Sequence, residues 1–222
     1  MPSTLAQFRA RIAARLVDAS NAVWSTTTID EALLTALHDY SEAYPYSYNQ
    51  VLVLTAASRE INLDTITGLI NVTEAHWPYN SLAEEWPPNR VRGFQVYWDD
   101  ARPMLYLTDI EGNQPQIDEE IRVWWTGLHT IQALESATAT TIRADHESGI
   151  VTGAAGYAAA SAVIDEIGSI RVDKAEDGSL RGWAYNRLSE FRRWLDTLRQ
   201  LSPSYAPTFH AGWKLDKWDS RT

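Results

Sequence analysis

The sequence contains no cysteine, and that absence removes disulfide frameworks, thiolate metal sites and cysteine nucleophiles together. Such usage suits a reducing cytosol. Positive charge is also in short supply: 19 Lys and Arg stand against 29 Asp and Glu, a formal charge of −10. General nucleic-acid binders neutralise phosphates with Lys and Arg, so that class is disfavoured. Met1 to Asp18 has no apolar run long enough for a signal-peptide core, which argues against secretion by that route. Its arginines, Arg9, Arg11 and Arg15, loosely imitate a transit peptide, but a plain amphipathic helix explains them better. The Ala/Gly-rich run from Ile150 to Ile164 is shorter than the ~20 residues of a bilayer span, and Asp145, Glu147, Asp165 and Glu166 flank it. It reads as a buried helix, and no membrane partner is expected.

Motifs of catalysis are missing in the same way. The five histidines (His38, His76, His129, His146, His210) are scattered, with no paired spacing for zinc. There is no phosphate-binding glycine loop, no dinucleotide fingerprint and no nucleophile elbow, and Gly149 to Gly156 falls inside a helix. His146 and Glu147 are adjacent, yet neighbours on a helix point about 100° apart and do not face each other. The reading is therefore a non-enzyme, with no catalytic residue, no cofactor and no metal. One alternative of another class is a Trp-rich carbohydrate-binding or glycoside-acting protein, since Asp99-Asp100 and Glu84-Glu85 are paired acids and ten tryptophans suit sugar stacking.

What is present is a globular composition, 45% hydrophobic and 22% charged, in 222 residues, enough for one domain with an insertion and a sizeable core. Thr4 and Gln7 form a capping box ahead of Leu5, Phe8, Ile12 and Leu16, an amphipathic helix. Thr28 and Glu31 repeat the pattern ahead of Leu33, Leu34, Leu37 and Tyr40, and Tyr44-Pro45 ends that second helix. Trp24 stands where it can pin the turn between them. From Gln50 the texture turns to β-branched and aromatic residues, with strands expected at Val51 to Thr55, Leu69 to His76, Gly93 to Trp98, Met104 to Thr108 and Ile121 to Thr126. The clearest hairpin joins Phe94–Trp98 to Met104–Tyr106 through the polar stretch Asp99 to Pro103. Ile121, Val123 and Trp125 face away from Arg122 and Trp124, so both faces of that sheet carry aromatics and one of them calls for a cover.

Helical signals return after Thr141. Gly149, Gly153, Ala154 and Gly156 make a thin helix, stopping at Gly168, that another helix can approach closely. A last helix is expected from near Ser179 to Leu201, its seam of Ala184, Leu188, Phe191, Leu195 and Leu198 packing on the thin one. The fold class is α+β: a four-helix antiparallel bundle, two helices from each end of the chain, with an inserted, mainly antiparallel β subdomain and an extended C-terminal tail. The expected divisions are 1–48 and 137–201 for the helical hairpins, 49–136 for the β-rich insert and 202–222 for the tail.

Charge is uneven along the chain. The insert holds the acids Glu84, Glu85, Asp99, Asp100, Asp118, Glu119 and Glu120, whereas the last helix holds Arg187, Arg192, Arg193 and Arg199. The tail carries Tyr205, Phe209, Trp213 and Trp218, aromatics of the kind enriched at interface hot spots.

The run Trp24-Ser25, Ile29-Asp30-Glu31-Ala32-Leu33, Ala36-Leu37, Tyr40 and Tyr44-Pro45 resembles the opening of the tailed-bacteriophage head-to-tail connector adaptor (neck) proteins. The likeness continues through Val91-Arg92-Gly93-Phe94, Leu105-Tyr106-Leu107, Ile121-Arg122-Val123-Trp124 and Thr138 to Ala160, and it spans nearly the whole chain. It implies a helical bundle carrying a β insert, in a virion protein that forms a ring of twelve copies beneath the portal, joins capsid to tail and lets DNA pass without binding it tightly. Portal protein, other copies of the chain and tail or neck completion proteins are the implied partners. In that setting the four tail aromatics would dock on the portal or a neighbouring subunit, the four arginines would make subunit contacts, and the seven acids would face the channel or its rim. A tail-completion or terminator ring lower in the neck is the alternative within the same class.

Overall fold

A computed structural model describes residues 3–18, 20, 23–83, 89–108, 110, 114–168 and 174–201, and the side chains of all of these except 163–168 and 174–178. The chain begins with α1 (Leu5–Arg15) and α2 (Thr26–Ala43) and ends, within these residues, with α3 (Glu147–Gly168) and α4 (Lys174–Leu201). Between the helical pairs lie β1 (Tyr46–Val53), β2 (Glu60–Asn62), β3 (Leu69–Tyr79), β4 (Phe94–Asp99), β5 (Arg102–Leu107) and β6 (Glu120–Gly127). The architecture is the α+β one expected.

Local chemistry explains most boundaries. The Thr4 hydroxyl accepts the Gln7 N–H, and the Gln7 amide oxygen accepts the Thr4 N–H at 2.9 Å, so the capping box is closed from both sides. The second helix starts earlier than the Thr28–Glu31 pattern suggests. Its N-cap is Ser25, whose hydroxyl accepts the Thr28 N–H at 3.1 Å, in keeping with serine ranking above threonine at that position. Tyr44, at φ −143°, leaves the helical region because Pro45 follows it. The last helix likewise starts at Lys174 rather than near Ser179. Ala175, Glu176 and Asp177 suit a helix N-terminus, and Gly178 is carried at a cost of about 1 kcal/mol.

α3 is the centre of the bundle, and α1, α2 and α4 all pack on it. A Cβ on Gly149 would lie 2.7 Å from the Trp194 ring, and one on Gly153 2.7 Å from the Phe191 ring. The missing side chains are therefore what lets α4 approach. Phe8, Ile12, Ile29, Leu33, Tyr40, Ile150 and Phe191 fill the helical core. Trp24 has a longer reach than the turn between α1 and α2: its indole N–H donates to the Ala158 carbonyl at 3.0 Å and ties that turn to α3.

The strands form two antiparallel three-stranded sheets, ordered β1-β6-β3 and β2-β5-β4, that enclose a second core of Leu52, Leu63, Leu105, Leu107, Ile121 and Val123. The β4–β5 hairpin is tighter than expected. Asp99 pairs with Arg102, so Arg102 and Pro103 belong to the strand and the turn is Asp100-Ala101, both at positive φ (45° and 68°), the geometry of a type I′ turn. β1 starts at Tyr46, ahead of Val51, and pairs with β6 in unbroken register from Tyr46↔Gly127 to Val53↔Glu120. The paired residues Tyr46 and Gly127 root both strands at the helical end.

Candidate functional site

Residues on the last turns of α2, the loop after β6 and the turn just before α3 converge where the two cores meet. His129 Nε2–H donates to the Tyr44 carbonyl at 2.9 Å, leaving Nδ1 to accept from the Thr141 hydroxyl at 3.1 Å. The Thr141 oxygen in turn accepts the Thr130 N–H. Both ring nitrogens are thus satisfied by a neutral imidazole, and burial pushes its pKa down to about 4. His146 Nδ1 meets the Tyr40 hydroxyl at 2.7 Å, and burial lowers the His146 pKa as it raises that of Tyr40. Tyr40 also stacks on Trp194 from α4. Glu147 is engaged elsewhere: it accepts from Ser3 and from Arg11 at 2.6 Å, so it does not act with His146.

The acids named from the sequence separate into two turns on different sheets. Asp99 and Asp100 are exposed at the β4–β5 turn, beside Trp98, which is 60% exposed. Asp118, Glu119 and Glu120 lie at the start of β6, at the far end of the ladder from the helices. Two of them hold the β unit together: Glu119 accepts the Trp77 indole N–H and the Gln116 N–H, both at 3.0 Å, and Glu120 accepts from the Ser81 N–H and hydroxyl at 2.7 and 2.9 Å. Glu84 and Glu85, like Tyr205, Phe209, Trp213 and Trp218, lie outside the described residues.

The arginines of α4 are partly neutralised within the helix. Arg187 pairs with Glu190 and Arg199 with Asp196, each at 2.8 Å. Arg192 reaches toward Tyr157, whose hydroxyl donates to Asp39 of α2 and whose pKa burial and Asp39 push up to about 12. Arg193 is exposed. The basic patch is narrower than a count of residues suggests.

A further cluster escaped sequence reasoning. On the outer face of β6 the Arg122 guanidinium lies over the rings of Tyr79 (5.4 Å) and Trp124 (4.7 Å), and His76 lies 4.2 Å from the Trp124 ring. Glu74 accepts from Arg90 at 2.7 Å and meets His76 at 2.5 Å. The signal was the alternation of Arg122 and Trp124 against Ile121 and Val123; Tyr79 and His76, which flank them on that face, come from β3, the neighbouring strand of the same sheet. Among the described residues no three His, Asp or Glu side chains gather as a metal site, and no helix is long and apolar enough to cross a membrane.

These residues define an α+β chain whose ionisable side chains mostly brace its own elements. No family model matches the sequence, and no curated protein matches it. Among solved structures, a chain in the neck of an empty gene transfer agent particle is similar at 16% identity and a TM-score of 0.30, covering 69% of this chain and 75% of that one. A chain in the virion of a native gene transfer agent particle is similar at 16% identity and a TM-score of 0.28, covering 69% and 76%. Likeness of that degree does not establish a shared fold.

Proposed function

We propose that the chain is a structural virion protein: an adaptor ring of twelve copies that docks on the portal, joins the phage capsid to the tail and lines the DNA channel without catalysing a reaction. The observation that supports this reading is architectural. A helical pair, a two-sheet insert and a second helical pair follow one another along the chain, which is what the adaptor resemblance implies. On this reading 1–48 and 137–201 form the ring body, 49–136 projects as the insert, and 202–222 carries the docking aromatics Tyr205, Phe209, Trp213 and Trp218. Arg187, Arg192, Arg193 and Arg199 are the arginines assigned to subunit contact, and Glu84, Glu85, Asp99, Asp100, Asp118, Glu119 and Glu120 the acids assigned to the channel or its rim. Twelve copies multiply the charge of −10 to roughly −120, a field that repels phosphate and lets DNA slide.

Negative-stain imaging of the full chain, alone and mixed with portal, tests the reading. Rings seated on portals are expected. A monomer indifferent to portal, or one that hydrolyses a glycan, would sink it.

A further inference from the structure

Among the described residues the β unit is closed along one side and open along the other. On the closed side residues 89–91 run beside β3, with the Val91 N–H on the Ala75 carbonyl at 2.9 Å and the Trp77 N–H on the Asn89 carbonyl at 3.0 Å. On the open side β1 pairs with β6 and β2 with β5, and a groove of about 590 Å³ separates the two free edges. Leu52, Leu54, Ile61 and Met104 are in its lining, and its charged lining residues are Glu60 and Asp64.

Natural edge strands are blunted by a charge, a proline, a bulge or a covering element. β1 has the sequence YSYNQVLV, without charge or proline, and its register with β6 is unbroken. Val51 and Val53 on it are 36% and 58% exposed. Among the described residues no backbone group pairs with its outer edge. A cover is the remaining device, and the position and length of the rest of the chain identify one. Residues 202–222 follow α4, whose Trp194, seven residues before its end, stacks on Tyr40 in the last turns of α2, and Tyr44 caps α2 just before Tyr46. Fully extended they reach ~70 Å, against ~26 Å for the eight residues of β1. Trp213-Lys214-Leu215-Asp216 alternates apolar and polar as a half-buried strand does. Lys217 continues the alternation of Trp213 and Leu215 on one face, and the groove's charged lining residues are the acids Glu60 and Asp64.

We propose that residues 202–222 add to the free edge of β1 as a further strand, seated in the β1–β2 groove. Main-chain hydrogen bonds to β1 supply the affinity, Trp213 and Leu215 reach the groove floor, and Lys217 on the same face approaches Glu60 and Asp64. The proposal draws on the reading of this segment as a docking element but not on the particle it serves. A segment seated in the groove is compatible with a chain that never meets a portal, and portal docking is compatible with an empty groove, so the two tests fail separately.

The cysteine-free background permits a direct test in the full chain. Val53→Cys, on the face of β1 opposite to Leu52, combined with Lys214→Cys or Asp216→Cys, on the matching face of the added strand, is oxidised alongside a reference pairing of the same tail cysteine with Val23→Cys, an exposed position at the far end of α2. At least tenfold faster disulfide formation at position 53 is expected. A bond within one chain marks fold-back and a bond between chains marks exchange between copies, and both support the proposal; equal rates at positions 53 and 23 overturn it. Hydrogen exchange gives a readout that does not depend on register. Trp213→Asp with Leu215→Asp should speed exchange of the edge-facing β1 amides at least tenfold, and unchanged exchange overturns the proposal as well.

Discussion

The indole of Trp194 lies nearly parallel to the ring of Tyr40, with centroids 5.7 Å apart and planes 6° apart, while Gly149 of α3 leaves the space that the same indole fills. Three helices therefore meet at one side chain. Trp194 is half-buried, so Trp194→Ala should destabilise in urea unfolding by less than about 3–5 kcal/mol, the usual range for emptying a fully buried aromatic site. Gly149→Ala makes the sharper test. In the native background its methyl collides with the indole and should destabilise by about 1–3 kcal/mol. In the Trp194→Ala background the collision is gone, helix propensity favours alanine by about 1 kcal/mol, and the sign should reverse.

Acidification should weaken the fold before the carboxylates titrate. The folded pKa of His129 is depressed to about 4, so between about pH 6.5 and pH 4 the unfolded chain binds more protons and stability is lost as the pH is lowered. The full effect is about 3 kcal/mol. His146, also depressed by burial, acts in the same direction. Chemical denaturation across that window should show the loss, and His129→Gln should flatten the slope. A slope unchanged by the substitution would refute the assignment.

Val17 has φ 58°, a left-handed conformation that a β-branched residue adopts at a cost, and its side chain is 93% exposed. Val17→Gly removes the strain and loses almost no packing. Thermal unfolding should show stabilisation of about 1 kcal/mol, whereas loss of stability would show that the side chain contributes an unrecognised contact.

Glu147 tethers the start of the chain to α3. Burial opposes its charge, but hydrogen bonds from Ser3 and Arg11 prevail and hold its pKa below the usual carboxylate value. Stability from this source is present above the unfolded pKa and is lost as pH falls through the folded one. Glu147→Ala should cost about 2–4 kcal/mol and leave Arg11 without its partner. Faster amide exchange at Ser3 to Phe8 would locate the effect.

How far the sequence could be read depended on the range of the interactions. The Thr4–Gln7 box, the Phe94–Leu107 hairpin and the thin glycine face of α3 are local patterns, and the structure holds each of them. Errors of a few residues came from competing local chemistry, as where Ser25 caps ahead of Thr28. β2, three residues long, has no periodicity to detect. Tyr46 and Tyr48 alternate with Ser47 and Asn49, polar partners that disguise the first half of β1. The acids were harder to read because a carboxylate's role depends on what reaches it through space. Glu119 meets Trp77 across 42 positions, and nothing near Glu119 in the sequence announces that indole.

The pairing of Tyr46 with Gly127 has a mechanical consequence. β1 and β6 lead directly from and toward the bundle at one end of their ladder, and their far ends lie at Val53 and Glu120. A pull on the far tip along the strands is carried by two covalent backbones in parallel, with the ladder's hydrogen bonds lying across the load. A sideways pull that separates Tyr46 from Gly127 instead opens those bonds one pair at a time. The insert is thus stiff along its length and weak across its root, an anisotropy that force spectroscopy with handles in the two directions would resolve.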